Sequence, residues 1–357
     1  MSGLYLDNAA TTPVRREVLE AMSPFLTSAY GNPSSHHTVG EQAAAALDDA
    51  RRRVARVLGV RPGDIVFTSG GTEANNLAIK GIALAALQNS GARHVITSPI
   101  EHESVLASVG YLRRLHGFEV TVLPVDADGV IDPGDLAGAV RPDTAVVSIG
   151  LANNEIGTVQ DAAALADARG SARLHLDAVQ AAGWMRLSGL GADALTLAGH
   201  KLGAPKGIGV AMIRGRIPLE PVIHGGGQQR DRRSGTENVA GAVGFAVALE
   251  LAEAEREEAA ARVAAARDAF VARVLREVPS ARLTGHPQRR LPGTASFTFA
   301  GVSGEAVLLE LERRGVISSS GSACSAGSDE ASHVLTAIGV EHDLARTAVR
   351  FTLPHAW

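Results

Sequence analysis

Between Asp64 and Ile213 short β-rich runs alternate with stretches of helical periodicity, and this alternation narrows the possible folds more than any other feature of the chain. The runs are IVFT, HVITS, EVTVLPV, AVVSIG, RLHLD, DALTLAG and IGVAMI, with helices expected from about Thr72 and from about Ser104. Strands parted by helices predict an α/β architecture, a mostly parallel sheet flanked by helices on both faces. In such sheets ligands bind beyond the carboxyl ends of the strands, so the residues just after each run are the ones to inspect. They are polar: SGGTEANN (Ser69 to Asn76), PIEHES (Pro99 to Ser104), LANNEIG (Leu151 to Gly157) and DAVQ (Asp177 to Gln180).

Around this region the pattern changes. Leu4 to Pro13 carries an asparagine, alanines and threonines too small to build core and is expected to lie across a surface or a cleft. Val14 to Leu26 and Val39 to Leu58 carry apolar residues at helical spacing, separated by the loop GNPSSHH. Beyond Glu237 an Ala-, Glu- and Arg-rich stretch through Val278 reads as helix leading into a smaller α+β domain. Its strands are expected at TASFTFA (Thr294 to Ala300), VISSS (Val316 to Ser320) and TAVRFTL (Thr347 to Leu353), its helices near Gly304 to Arg314 and Asp329 to Gly339. The expected division is a large domain over 14–250 and a small one formed by 1–13 and 251–357. A chain of 357 residues, 45% of them hydrophobic, can bury cores for both.

Several classes of function are disfavoured. The longest apolar runs, such as Ile82 to Leu87, fall far short of the ~18 residues of a membrane span, so no membrane segment is expected. The N-terminus enters LYLDNAATTP without the basic and apolar regions of a signal peptide, which makes a cytoplasmic location the default. A net charge of −4 and 4% aromatic residues argue against nucleic acid, and the arginines at 51–53 and 230–233 read as solvated faces. His36 and His37 have no companion ligand cluster, so no metal is expected. The single cysteine, Cys324, excludes an intrachain disulfide. Set in SSSGSACSAGS it has no core to fill, so its reactivity is the favoured reading.

The stretch from HLDAVQ (His175 to Gln180) to AGHKLGAPKG (Ala198 to Gly207) reads as a coenzyme seat. Asp177 closes one apolar run and Lys201 follows another, so neighbouring strands would bring them to opposite ends of one flat cofactor. Pyridoxal phosphate asks for that pair: a carboxylate keeps its ring nitrogen protonated, and a lysine amine holds its aldehyde as a Schiff base. Either residue alone would equally suit a helix cap or a glycine-rich turn; the neighbouring motifs favour the seat. Gly71 and Thr72 open a helix after a glycine turn, which suits a phosphate. His102, at a strand end, is placed to stack on the ring and to move protons.

In their order, LDNAATTP, GNPSS, SGGTEANN, EHES, NNEIG, DAVQ, GHK, RSGTEN, SSGSACS and VRFTL make the chain resemble, over nearly its whole length, the group I cysteine desulfurases. These belong to the class V aminotransferase family and to the fold-type I pyridoxal phosphate enzymes. The resemblance implies that Lys201 holds pyridoxal 5'-phosphate, Asp177 pairs with its ring nitrogen, Gln180 contacts its phenolic oxygen and His102 stacks on it. Gly71, Thr72 and His200 would hold the phosphate together with Thr236 reaching across from a partner subunit, which makes a homodimer the expected assembly. Asn154 and Arg350 would bind the carboxylate of L-cysteine, Arg350 through its fork. Cys324 would take the sulfur as a persulfide and pass it to an acceptor protein, for iron–sulfur assembly or for tRNA or DNA thiolation.

Three departures accompany the resemblance. Ala198 stands where the family commonly has a phosphate-binding serine, and CSAGSDEASHVL differs from the commoner form just after the cysteine. The family also continues past VRFTL into a C-terminal helix where this sequence reads PHAW, so that helix is expected to be missing. A selenocysteine lyase, another carbon–sulfur lyase, an aminotransferase, or a non-catalytic scaffold retaining the fold would share much of this pattern; the cysteine in its long loop favours sulfur abstraction.

Overall fold

A computed structural model describes residues 3–320 and 330–355. The chain begins with a two-residue strand, β1 (Leu4–Tyr5), followed by helices α1 (Arg16–Thr27) and α2 (Thr38–Leu58). Gly59 ends α2 in the left-handed region (φ 65°), where its amide reaches back to the carbonyls of Ala55 and Arg56. The alternating region then runs β2 (Ile65–Thr68), α3 (Gly71–Ser90), β3 (His94–Thr97), α4 (Glu103–His116), β4 (Glu119–Val122), α5 (Pro133–Ala139), β5 (Thr144–Gly150), α6 (Ala162–Ala168), β6 (Arg173–Asp177), β7 (Ala194–Ala198) and β8 (Gly209–Ile213).

These seven strands form one sheet in the order β2-β8-β7-β6-β5-β3-β4. Ladders from β4 to β7 are parallel, while β8 runs antiparallel to both β7 and β2. The reversal follows from chain length: only residues 199–208 link β7 to β8, fewer than the dozen or so a parallel crossover needs. Period-two alternation sorts the strand side chains into two cores. Ile65, Phe67, Val147, Leu174 and Leu176 pack with Val54 of α2, while Val66, Val95 and Val146 pack with Leu77 of α3 and Leu112 of α4. Asp177 is thus the last residue of a strand buried on both sides.

Helix α7 (Val239–Glu277) is a single rod of 39 residues. Its first half packs into the large core through Phe245 and Leu249, and the boundary expected at 250/251 falls inside it. After it come β9 (Ala281–Leu283), β10 (Thr294–Phe299), α8 (Gly304–Arg313), β11 (Val316–Ile317), α9 (His333–Ala337), α10 (His342–Ala345) and β12 (Val349–Thr352). The small sheet has the order β12-β10-β9, its face covered by Phe297 and Phe351 against Phe270 of α7. Strand β9 was not legible in the alternation. VISSS is extended mainly at its first two residues, which pair with β1; the helix expected near Asp329 to Gly339 is the shorter α9, and α10 lies beyond it, past Gly339 at φ 84°.

The N-terminal segment is stitched in from both ends. Leu6 donates its amide to Ile317 and accepts from Thr352 at its carbonyl, both at 2.7 Å, and Thr12 then bonds the carbonyl of His200 through its amide and its hydroxyl. Ala9 and Ala10 are thereby laid across the carboxyl ends of β6 and β7.

A further segment closes an edge of the large sheet. Gln229, Arg230 and Asp231 all have left-handed backbones, at φ 50°, 59° and 61°, which side chains other than glycine avoid. Their anchors lie on the outward side of β2: Gln229 Oε1 accepts the amide of Phe67 at 2.9 Å, and Arg230 Nη2 donates to the carbonyl of Ile65 at 2.7 Å. Arg233 forks onto Glu73 in the first turn of α3 at 2.8 and 3.2 Å. Among the described residues no helix is long and apolar enough to cross a membrane, and no group of three or more His, Cys, Asp or Glu side chains could hold a metal.

Candidate active site

At the carboxyl ends of β3, β5, β6 and β7 lies a cavity of about 290 Å³, at the small end of the range for small-molecule sites, roughly 300 to 1,000 Å³. Of the eleven residues expected to form the site, nine line it: Gly71, Thr72, His102, Asn154, Asp177, Gln180, His200, Lys201 and Arg350. Thr236 is exposed and is not among the lining residues, while Cys324 lies outside the described residues.

Asp177 and Lys201 come together for the reason the sequence suggests: β6 and β7 are parallel neighbours, with Asp177 facing Thr196 in register. Asp177 is buried, and two N–H donors hold its carboxylate, Asn75 Nδ2 on Oδ2 at 2.7 Å and the amide of Val179 on Oδ1 at 3.0 Å. Lys201 closes a turn of 3-10 helix (Gly199–Lys201), and its amine donates to the carbonyls of Ala9 and of Ala10, the latter at 2.8 Å. Gln180 Nε2 donates to the same Ala9 carbonyl at 3.1 Å.

The phosphate side is a helix start. Gly71 is the first residue of α3, and a Cβ there would lie 2.9 Å from Val179 Cγ2, so only glycine lets helix and seat approach so closely. His200 contacts the Thr11 hydroxyl at 3.2 Å. Burial first, with Lys201 and Lys206 adding to it, pushes the His200 imidazole down to about 4.

His102 is the N-cap of α4, and its Nδ1 accepts the Ser104 amide at 3.1 Å. That bond leaves Nδ1 bare and puts the proton of the neutral ring on Nε2. Arg350, also lining the cavity, is 1% exposed; its Nη1 donates to the Asn154 carbonyl and its Nη2 to Asp7 Oδ1, both at 2.7 Å.

Sequence reasoning missed the residue that joins these parts. Asn75, 1% exposed, donates from Nδ2 to both Asp177 and the Ser104 hydroxyl (2.9 Å), and its Oδ1 accepts from Thr196 at 2.6 Å. Ser104 in turn meets His102 Nδ1 at 2.8 Å, so one amide links the acid beneath the site to the ring beside it. The available signal was an asparagine at helical spacing from Ile79 and Ile82, on the apolar face of α3. Asn75→Leu keeps the branched shape, at a larger volume, and breaks all three bonds. Asp177, Ser104 and Thr196 keep their bonds to Val179, His102 and His175, so the loss is that of three net hydrogen bonds at roughly 0.5 to 1.5 kcal/mol each, and we expect about 2 to 4 kcal/mol of lost stability by denaturant unfolding. A wild-type midpoint would show that the network carries no weight.

Glu155 and His333 also went unnoticed. Glu155 is buried, which raises its carboxyl against the opposing hydrogen bond from the Ser332 hydroxyl at 2.5 Å. His333 Nε2 meets the Glu101 carbonyl at 3.0 Å. These contacts dock the start of α9 against the cavity wall. A second cavity, of about 510 Å³, lies beyond Ala9 and shares Val179, Gln180 and Lys201 with the first. The first has the chemistry: a buried acid, a lysine, a helix start for an anion and an arginine fork fit a flat phosphorylated cofactor with an amino-acid substrate.

Comparison with known proteins agrees with this geometry. The profile of the Aminotransferase class-V family matches residues 4–354. The chain is similar to "Cysteine desulfurase IscS" of Dictyoglomus turgidum, 46% identical over 354 residues covering 98% of this chain and 89% of that protein. It is 45% identical to "Cysteine desulfurase IscS" of Methanosarcina thermophila, over 98% of this chain and 87% of that one. Among solved structures, a "NIFS-LIKE PROTEIN" superposes with a TM-score of 0.91 at 38% identity, covering 99% of this chain and 94% of its own. A structure described as "SspA in complex with cysteine" does so with a TM-score of 0.86 at 37% identity, covering 98% and 99%.

Proposed function

Because the chain belongs to the class-V aminotransferase family, we propose that this cavity is the site of a cysteine desulfurase that turns L-cysteine into L-alanine and keeps the sulfur as a persulfide on Cys324. The observation that carries the reading is convergence: nine side chains and backbone positions from separate segments meet in one cavity with the polarity the reaction needs. Pyridoxal phosphate, when bound, supplies an electron sink for charge developing at the substrate Cα.

The chain's own residues do the rest. Asp177, its carboxylate already oriented by Asn75 and Val179, keeps a proton on the cofactor's ring nitrogen. The Lys201 amine would hold the cofactor and, as a free base, take the α-proton of the substrate. Gly71, Thr72 and His200 would receive the phosphate and Gln180 the phenolic oxygen, and His102 would lie against the ring. Arg350 and Asn154 hold the substrate carboxylate, which turns the sulfur outward. The Cys324 thiolate attacks that sulfur, the Cβ–S bond breaks, and a proton replaces sulfur on Cβ. The sum is thiol plus cysteine giving persulfide plus alanine, with no outside oxidant or reductant. The persulfide sulfur then passes to a thiol-bearing acceptor protein, and the setting is cytoplasmic.

The test is to add L-cysteine to protein loaded with pyridoxal phosphate and follow alanine together with the mass of the peptide containing Cys324. Alanine with a gain of one sulfur atom is expected; alanine without it, or sulfide alone, would reject the assignment.

We further propose a twofold homodimer in which Thr236 completes the partner's phosphate site. The turn carrying Thr236 is exposed yet firmly fastened to β2 and α3, as a donor offered to another copy would be. Light scattering should give twice the chain mass of 36.9 kDa. A monomer that binds the cofactor fully would contradict the arrangement.

A further inference from the structure

Glu101 lies on the cavity wall, 3% exposed, and no step above uses it. Its side chain spans two strand ends. The Ser98 hydroxyl, just past β3, bonds Oε1 at 2.5 Å, and the amide of Gly150, the last residue of β5, donates to Oε2 at 2.6 Å. Gly150 pairs in register with Asp177, and the amide of Leu151 donates to the Asp177 carbonyl at 2.8 Å. The residue after Glu101 is His102. One carboxyl therefore ties the turn that carries the ring to the strand end that carries the acid. A Cβ on residue 150 would sit 3.0 Å from Oε2, so the tie also uses the bareness of that glycine.

The charges around this carboxyl are unfavourable to an anion. Among the described residues no lysine or arginine forms an ion pair with it. Asp177 on β6 faces it with negative charge, His102 and Glu103 follow it in the chain, and His333 of α9 meets only its backbone carbonyl. Burial first, with Asp177 adding to it and the Ser98 and Gly150 bonds opposing, pushes the Glu101 carboxyl up to about 8.

We propose that Glu101 is a positioning residue that remains an uncharged acid at neutral pH, fixing the His102 turn to the Asp177 strand end while leaving the negative charge there to Asp177. A second anion at that spot would raise the proton affinity of Asp177 and so compete with the cofactor's ring nitrogen for its proton. The inference rests on the reading of Asp177 as the partner of that nitrogen, but its structural half can be tested without the cofactor.

The experiment is thermal unfolding of the full chain from pH 5 to 9, with and without pyridoxal phosphate, for wild type, Glu101→Gln and Glu101→Leu. A carboxyl that keeps its proton in the fold up to about 8, against 4.5 when unfolded, contributes stability that is present below 4.5 and lost as pH rises through 8. Without cofactor, the Tm of wild type relative to Glu101→Gln should therefore fall steadily from pH 5 to 8 and then level off. With cofactor, Glu101→Gln, which keeps an acceptor for Gly150 and a polar group for Ser98, should bind pyridoxal phosphate within about threefold of wild type and keep its visible circular dichroism band. Glu101→Leu, which loses both ties, should bind it at least about tenfold more weakly. Parallel Tm profiles for wild type and Glu101→Gln would overturn the proposal, as would a Gln variant that loses the band as Leu does. If Glu101→Leu does not fold, the wild-type and Gln comparison still decides. A wild-type protein that takes up no pyridoxal phosphate would instead sink the reading of the cavity, with the cofactor-free profiles still deciding the state of Glu101.

Discussion

Lys201→Ala should yield a folded, colourless protein whose turnover of L-cysteine is at least about 10,000-fold below that of the yellow wild type, since it loses both the cofactor anchor and the base for the α-proton. The fold should survive. Lys201 is only partly buried, and among its contacts with the described residues the variant removes donation to two carbonyls of the N-terminal segment. A net hydrogen bond contributes about 0.5 to 1.5 kcal/mol, so the stability change should be a small part of the total. The test is unusually clean because the sequence has only three lysines, Lys80, Lys201 and Lys206. The Lys80 ammonium sits over the Tyr111 ring, 4.2 Å from its centroid, which leaves Lys206 as the nearest substitute. Borohydride reduction followed by peptide mapping should find the cofactor on Lys201 in wild type and on no lysine in the variant. An imine trapped on Lys206 in the wild-type protein would show that the seat has been assigned to the wrong side of the turn.

Cys324→Ser should separate the two halves of the reaction. The cofactor site is formed by residues distant in sequence from Cys324, so the variant should bind L-cysteine and change the visible spectrum as wild type does, yet release alanine at least about 1,000-fold more slowly for want of a sulfur acceptor. Arg350→Ala should fail in the opposite way. Its guanidinium holds the Asn154 carbonyl and Asp7 in place as well as offering its fork to the substrate, so the variant should need far more L-cysteine to produce the same spectral change. Loss of a hydrogen-bonded charge pair in a desolvated site costs about 2 to 5 kcal/mol, which corresponds to a KM raised at least about 30-fold. Near-normal alanine release by Cys324→Ser would remove the thiol from the mechanism and leave a direct carbon–sulfur lyase in its place.

Much of this site was legible because its parts are local. A strand followed by glycine and a helix start declares itself in SGGTEANN, and an acid and a lysine closing successive apolar runs meet wherever those runs are parallel neighbours. The parts that were not legible arise only once the chain is folded. Asn75 is one of two adjacent asparagines, and only the packing of α3 against the sheet decides that it is buried while Asn76 is half-buried. Asp7 is 343 residues away from the arginine it orients. The reversed direction of β8 depended on the length of one connection, and β9 was too short to show a period. Alanines at positions 9 and 10 carry no chemistry in their side chains; what matters is two backbone carbonyls, which every residue type possesses.

The left-handed turn at Gln229 to Asp231 bears on how this molecule avoids unwanted company. An outermost strand normally leaves a row of amides and carbonyls free to recruit a strand from another chain, the first step of sheet-to-sheet aggregation. Here two of the outward groups of β2 are already engaged, by a glutamine oxygen and an arginine nitrogen held in place by an otherwise disfavoured backbone. Growth of the large sheet by strand addition is thus obstructed at that end, and a second copy can approach this side of the molecule only through side chains and turns.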